Sequence, residues 1–141
     1  MLQAAGGQYT PPVRLRLEMA RYVLAEDYVR ALALRDQLRE EVDRALEGCD
    51  ALVLPTLPIP APHIGESTVQ VGTAQEPVRS VMLRLTQLFN LTGHPAITIP
   101  CGAARNGLPC GFQIVGRRGA TETLLQAALS LEHAIHPERT V

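Results

Sequence analysis

The feature that most constrains the fold is a pair of short apolar runs separated by glycine, asparagine and proline. The runs are Ala96–Ile99 and Phe112–Val115, and the connection between them contains Asn106-Gly107. Branched aliphatic residues that are bounded by glycine and proline favour strands over a helix. The connection, residues 100–111, is too long for a two-residue turn and suits antiparallel strands joined by a longer loop. The stretch therefore predicts an antiparallel strand pair.

The remaining periodicity predicts helices around this pair and at least one more strand. Apolar residues recur at helical spacing over about 13–22, 26–47 and 78–89, and Thr121 is placed to cap a last helix. The wholly apolar run Ala51–Leu54 is typical of a strand buried on both faces. The sequence thus predicts the α/β class, with at least three strands in a partial mixed β-sheet flanked by helices.

Two segments are predicted to lie outside these elements of a single domain, 1–141. Residues 1–12 read as an arm, and residues 55–77 as a long loop whose first half alternates with proline. Alternating proline keeps a chain extended. Loops of this length are usually lids, binding loops or disordered segments, so a ligand-contacting loop and a mobile connector both stay open.

Composition narrows the class of partner. The chain has 141 residues, 46% of them hydrophobic, and a formal net charge of −1. A nucleic acid or an anionic membrane is therefore not an expected partner. No apolar run approaches the roughly 18 residues of a membrane span, and the N-terminus has no signal-peptide pattern. We expect a cytoplasmic protein.

Neither a metal site nor a disulfide framework is predicted. Three cysteines, an odd number at wide spacing, suggest reduced and mostly buried thiols: Cys49, Cys101 and Cys110. Three histidines lack potential metal-ligating partners at useful spacing: His63, His133 and His136. No cofactor is expected.

Several motifs together resemble the C-terminal part of the amidase signature family. They are NLTGHPA before the first strand of the pair, PCG at its end, and GLPCGFQIVG through the second strand. The resemblance extends upstream through DYVRALALRDQL and DALVLPTLPIPAP, and so covers nearly the whole chain. It implies an α/β/α sandwich, of which this chain would form a portion, and a loop 55–77 that passes near a substrate pocket.

The resemblance implies a hydrolase whose catalytic groups are not found in this sequence. Enzymes of this family use a serine nucleophile, a second serine on a cis peptide and a lysine base whose pKa must be depressed. The chain contains no lysine, and its three serines lie outside any Gly/Ser-rich segment: Ser67, Ser80 and Ser130. No G-x-S-x-G pattern replaces them. We therefore predict no catalytic residue here and no activity for the chain alone.

Four residues before the first strand of the pair are candidates for a substrate pocket: Thr86, Asn90, Thr92 and His94. Loops of α/β sheets commonly contact ligands near strand ends, and in the family this region helps to shape the active site. Asn90 could equally hydrogen-bond the local backbone. His94 could equally be a structural histidine whose ring nitrogens are hydrogen-bonded.

Charged side chains outside these candidates are predicted to be solvated. They include Asp43 on the long helix and the pair Arg117-Arg118, for which a phosphate or carboxylate clamp is the weaker alternative. Gln113 is expected to bond across the sheet or to point outward.

In the tRNA amidotransferase member of the family, an acidic residue before the Asn-Leu-x-Gly element helps to bind glutamine. No acid occupies 83–85 here, which favours a generic amidase.

The leading hypothesis is a C-terminal, truncated portion of an amidase-type carbon–nitrogen hydrolase that contributes scaffold and pocket wall. Its implied partners are an N-terminal amidase part and, in the complete enzyme, a small amide. A standalone binding, regulatory or oligomerising module is the alternative, and a hydrolase that uses a histidine is a weaker third. An exposed sheet edge predicts self-association as a homodimer or higher oligomer.

Overall fold

A computed structural model describes residues 6–136, so the first five residues of the predicted arm lie outside the described part. The chain divides into two compact units, one up to Gln37 and one from Leu38. Each is considered separately, and the single domain stays a prediction. Among the described residues, no helix is both long enough and apolar enough to cross a membrane.

The first unit is helical. Helix α1 spans Pro11–Met19, with its two prolines in the first turn as expected, and α2 (Ala25–Ala45) begins in this unit and ends in the second. The predicted apolar stripe of α2 is correct only in its C-terminal half. Val42 is buried there, whereas Leu34 is 54% exposed. The periodicity identified an apolar face, but no described residue buries the first half of that face.

The second unit contains five strands: β1 (Leu52–Pro55), β2 (Thr68–Val71), β3 (Ala74–Pro77), β4 (Ala96–Ala103) and β5 (Pro109–Val115). The main sheet has the order β1-β5-β4, and the predicted antiparallel pairing of β4 with β5 is confirmed. The α/β class is confirmed as well. A mixed sheet was expected, yet both described pairings are antiparallel, because β5 returns between β1 and β4, which run in the same direction.

The predicted loop 55–77 is partly regular structure. Its second half forms the β2–β3 hairpin, a separate two-stranded sheet. Gly72, at φ 59°, begins the two-residue turn of this hairpin. A positive φ at this position is typical of a tight hairpin turn with glycine first. Only the proline-rich first half, between β1 and β2, has no described helix or strand.

The predicted helix 78–89 consists of two short helices, α3 (Val78–Leu83) and α4 (Gln87–Thr92). The carbonyl of Leu85, between the two helices, accepts a 2.8 Å hydrogen bond from Gln113 Nε2. Gly93, at φ 77°, ends α4 in a left-handed conformation that glycine adopts without strain. The last helix, α5 (Thr121–Ile135), has Ala120 rather than Thr121 in the capping position, so the predicted threonine cap is wrong.

Two apolar clusters lie against the main sheet. One contains Val42, Leu46, Phe89 and Val115, and the other contains Ile99, Ile114, Leu124 and Ala128. Adjacent residues of β5, Ile114 and Val115, belong to different clusters. Because successive side chains of a strand point to opposite faces, β5 is buried on both sides. Helices α2 and α4 contribute to the core on one face and α5 to the core on the other.

Candidate functional site

A cleft of about 470 Å³ opens where the chain leaves β1, and we call it the proline cleft. One wall is the continuous segment 56–61, and the other is formed by the β4–β5 hairpin. The hairpin residues that line it are Thr98, Pro100, Ala104, Pro109, Cys110 and Gly111. Proline in 56–61 keeps that wall extended, which holds it beside the hairpin.

Close backbone packing joins the two walls. The Thr56 backbone N–H donates to the Gly111 carbonyl at 3.1 Å, and the hydroxyl groups of Thr56 and Thr98 are 3.1 Å apart. A Cβ atom on residue 111 would lie 2.8 Å from Thr98 Cγ2 and 3.0 Å from the carbonyl oxygen of Ile99. Because real Cβ atoms do not approach so closely, glycine at 111 allows β5 to pack closely against β4 within the hairpin wall.

The chemistry of the proline cleft suits an uncharged, largely apolar group. Aliphatic and proline side chains make up most of its lining, and the polar side-chain groups are two hydroxyls and one thiol: Thr56, Thr98 and Cys110. No lining residue is charged. Apolar walls with a few polar groups are typical of small-molecule sites.

The cysteines differ from the prediction, because all three are exposed. Cys101 Sγ lies 3.6 Å from Cys110 Sγ across the β4–β5 pair. The hydrogen bond with the Cys110 sulfur is the main cause that raises the pKa of the Cys101 thiol. The sequence spacing gave no sign of this juxtaposition, since it depends on the hairpin register.

A second, closed site surrounds His94, and we call its four residues, Asp43, Thr92, His94 and Arg118, the polar cluster. His94 Nε2 lies 3.0 Å from Asp43 Oδ1, and its Nδ1 lies 2.8 Å from Thr92 Oγ1. A carboxylate only accepts, so Nε2 donates to Asp43, and in the neutral ring Nδ1 accepts from the Thr92 hydroxyl. The His94 side chain is fully buried.

Arg118 completes the polar cluster from the other side of Asp43. Its Nη2 donates to Asp43 Oδ2 at 2.7 Å. Hydrogen bonds from Arg118 and then from His94 lower the pKa of the Asp43 carboxyl. Asp43 and Arg118 were both expected to be solvated, and their side chains are 40% and 47% exposed. The prediction did not include their ion pair, which forms because the β5–α5 connection brings Arg118 onto the C-terminal part of α2.

Arg117 is exposed as predicted, and it also hydrogen-bonds the protein. Its Nη2 donates to the carbonyls of Leu46 and Cys49, each at 3.2 Å, just beyond the end of α2. A cation at this position is favoured by the negative C-terminal end of the helix, and it adds a hydrogen bond to the Leu46 carbonyl, which also accepts from the Cys49 N–H. A small cavity of about 280 Å³ adjoins both arginines. Since each arginine already has protein acceptors, the structure gives the anion-clamp alternative no support.

The structure brings together only two of the four predicted pocket residues. Thr92 and His94 are buried and joined in the polar cluster, Thr86 is half-buried, and Asn90 is exposed on α4. None of the four lines the proline cleft. Their role as substrate contacts therefore stays a prediction. Sequence reasoning missed Thr56 and Thr98, for which the proline alternation after β1 was the available signal.

The polar cluster has the same order of groups as a catalytic hydroxyl–imidazole–carboxylate relay, but its buried position suits a structural role rather than catalysis. A nucleophile must be reached by its substrate, and Thr92 has no exposed surface. The described residues also contain no group of three histidine, cysteine or acidic side chains placed to hold a metal ion. The proline cleft is therefore the better candidate for binding a small molecule.

The helices that flank the main sheet place this chain in the α/β class. The family model described as Amidase matches residues 2–125, and the chain belongs to that family. An amidase of Pseudomonas putida is 37% identical over 145 residues, which is 98% of this chain. A glutamyl-tRNA(Gln) amidotransferase protein of Methanococcoides burtonii is 33% identical over 126 residues, or 85% of the chain.

Solved structures support the same assignment. A crystal structure of an amidase superposes with a TM-score of 0.85 at 34% identity and covers 95% of this chain. The chain spans only part of its relatives: 31% of the Pseudomonas amidase, 25% of the amidotransferase protein and 31% of the crystallised amidase. The predicted membership of the amidase signature family, and the preference for a generic amidase, are confirmed.

Proposed function

We propose that this chain is the C-terminal scaffold and substrate-pocket wall of an amidase-type carbon–nitrogen hydrolase, and that it is inactive alone. The proline cleft is the observation that carries the proposal. Its uncharged lining gives apolar contact area, and its two hydroxyls could orient one polar group of a ligand. The substrate class that fits is an uncharged amide with an apolar acyl or amine portion.

The catalytic groups of this proposal come from an N-terminal amidase part. A neutral lysine base has no counterpart in a chain whose cations are all arginine, because arginine stays protonated. The exposed apolar surface of the first unit supports an N-terminal amidase part as a partner. None of its described residues is buried, and it exposes large apolar side chains such as Leu15, Met19, Tyr22 and Val29. Apolar surface of this extent marks an interaction site.

A chimera tests the proposal directly. The matching segment of the Pseudomonas putida amidase is replaced by this chain, and hydrolysis is measured on a series of apolar p-nitroanilides. We expect the chimera to hydrolyse them and this chain alone to be inactive. A folded chimera without activity would argue against the pocket-wall role, and hydrolysis by the isolated chain would contradict its inactivity.

Two isoleucines of one loop give matched variants. Ile59 lines the proline cleft, whereas Ile64 is fully exposed five positions later and does not. In the chimera, Ile59→Asp should raise KM for apolar amides roughly tenfold or more, since a charge replaces apolar contact. Ile64→Asp should leave KM unchanged. Equal effects of the two variants would show that the cleft does not contact substrate.

The proposal also includes the behaviour of the isolated chain. We expect the isolated chain to be cytoplasmic and to self-associate through its exposed sheet edge and apolar surface when no amidase part is present. Light scattering that gives a monomer mass at high concentration would contradict self-association. The alternative, a standalone module that caps a separately encoded amidase half, is tested by co-purification: a specific complex with a separately expressed N-terminal amidase part would favour it.

A further inference from the structure

Cys101 and Cys110 form the closest pair of thiols among the contacts of the described residues. Their sulfur atoms are 3.6 Å apart, and both residues are exposed. The pair lies at an irregularity in the β4–β5 ladder. Pro100 pairs with Gly111 and Gly102 pairs with Cys110, so Cys101 is an extra residue on β4. A bulge of this kind puts two residues of one strand opposite one residue of the other, here Cys101 and Gly102 opposite Cys110.

The geometry needs little change to form a bond. A disulfide requires sulfur atoms about 2.05 Å apart, so the two atoms must approach by roughly 1.5 Å. Rotation about the two side chains can supply much of this movement, and the bulge interrupts the regular ladder at Cys101. Exposure gives a dissolved oxidant access to both thiols, which a buried pair would not allow.

We propose that Cys101 and Cys110 form a reversible disulfide with small-molecule disulfides such as oxidised glutathione as the oxidant. One protein thiolate attacks oxidised glutathione, which forms a mixed disulfide and releases one glutathione thiolate. The second protein thiolate then attacks the protein sulfur of that mixed disulfide and releases the second glutathione thiolate. Two protein thiols are oxidised, one glutathione disulfide is reduced, and the two protons pass to the released thiolates.

The proposed bond lies in the wall of the proline cleft, because Cys110 is one of its lining residues. It would connect β4 to β5 at the bulge. The inference depends only on the strand pairing and on the two thiols, so it stands whether or not the chain acts in amide hydrolysis. Cys49 provides an internal reference, since it is exposed but belongs to neither strand.

The test uses the full chain. It is incubated with excess oxidised glutathione, quenched with acid, alkylated with iodoacetamide and analysed by intact mass and peptide mapping. We expect a bond linking the peptides of Cys101 and Cys110, which lowers the mass of that pair by about 2 Da and leaves one alkylatable thiol at most, Cys49. Dithiothreitol should restore three thiols. Alkylation of Cys101 and Cys110, or stable glutathione adducts on both, would overturn the proposal.

Single variants separate the proposed pair from general thiol reactivity. Cys49→Ser should form the bond as the unsubstituted chain does, while Cys101→Ser and Cys110→Ser should form none and should retain glutathione on the remaining strand cysteine. A link from Cys49 to either strand cysteine, or a link between two chains in place of the internal one, would also overturn it. The map of the unsubstituted chain decides the outcome even where a variant fails to fold.

Discussion

The polar cluster and the proline cleft lie before and along the same strand, β4, yet they differ in what their side chains can do. In the polar cluster, each polar side chain has a partner within the protein, and Thr92 and His94 have almost no exposed surface. In the proline cleft, apolar walls and two hydroxyls border open volume. Hydrogen-bonding residues near a strand end can therefore all be paired within the fold, while apolar residues line the accessible site.

The largest expected effect comes from removing the centre of the polar cluster. His94→Ala deletes a buried ring with two hydrogen bonds and leaves Thr92 and Asp43 without that partner, so we expect a loss of about 2–4 kcal/mol in the free energy of unfolding. Urea denaturation measures it. His63→Ala, at an exposed histidine, is the control and should change stability by less than about 0.5 kcal/mol. A similar small change for His94→Ala would show that the cluster is not structural.

A change in the proline cleft should be the next largest. Gly111→Ala places a methyl group within 2.8 Å of Thr98 Cγ2 and 3.0 Å of the Ile99 carbonyl oxygen, so β4 and β5 must move apart at this point of the hairpin wall. Overpacking of this kind costs about 1–3 kcal/mol. Thermal unfolding gives the cost. Gly7→Ala is a suitable control, since an added Cβ there meets nothing within 4 Å. Equal melting temperatures for both variants would show that the β4–β5 pair accommodates the added methyl group without cost.

One substitution made at both sites compares them without a change of shape. Thr92→Val removes a buried hydroxyl and leaves Nδ1 of His94 without its partner, which should cost about 1 kcal/mol. Thr98→Val removes an exposed hydroxyl whose partner, Thr56, can bond to water, and should cost close to nothing. Denaturant midpoints measured in parallel test this. Equal losses would remove the distinction between a closed and an open site.

The smallest expected effect is a pH dependence that arises from Asp43. Its pKa in the folded protein lies below 3.8, because Arg118 and His94 hydrogen-bond the carboxylate. The contribution of the Asp43 carboxylate to the free energy of unfolding is therefore fully present above pH 3.8, and it is lost as the pH falls through the pKa of Asp43 in the folded protein. The stability difference between the unsubstituted chain and Asp43→Asn should narrow in that acidic range. Both proteins keep His94 and Arg118, so a difference that is constant with pH would contradict the assignment.

Sequence reasoning predicted the fold better than the site. The pattern of apolar residues identified β1, β4, β5 and α5, because an element that is buried on one or both faces has apolar residues at regular or consecutive positions. It missed the interruption between α3 and α4, since the Leu85 carbonyl is satisfied by Gln113, which is 28 positions away in the chain. It also missed the β2–β3 hairpin, whose strands are short and mostly exposed.

The candidate site was predicted only in part, because its contacts depend on register and not on local pattern. His94 was recognised as a possible structural histidine, but its partner Asp43 is 51 positions away on a helix face that reads as solvated. The proline alternation after β1 predicted an extended loop and left a ligand-contacting loop and a mobile connector equally open. Nothing in that pattern predicted that Gly111 would allow β4 and β5 to approach closely in the opposite wall.

The two outer strands of the main sheet each contain a proline, and this limits how the sheet can be extended. β1 ends at Pro55, and β4 contains Pro100 midway along its length. A proline has no N–H to donate, and on an outer strand the missing donor faces the open side. An added strand could bond continuously only along three residues of β1 or four of β4 before it met a position without a donor. The two prolines therefore limit how far another strand can hydrogen-bond along either edge. We expect assembly through these edges to give small, closed oligomers rather than fibres.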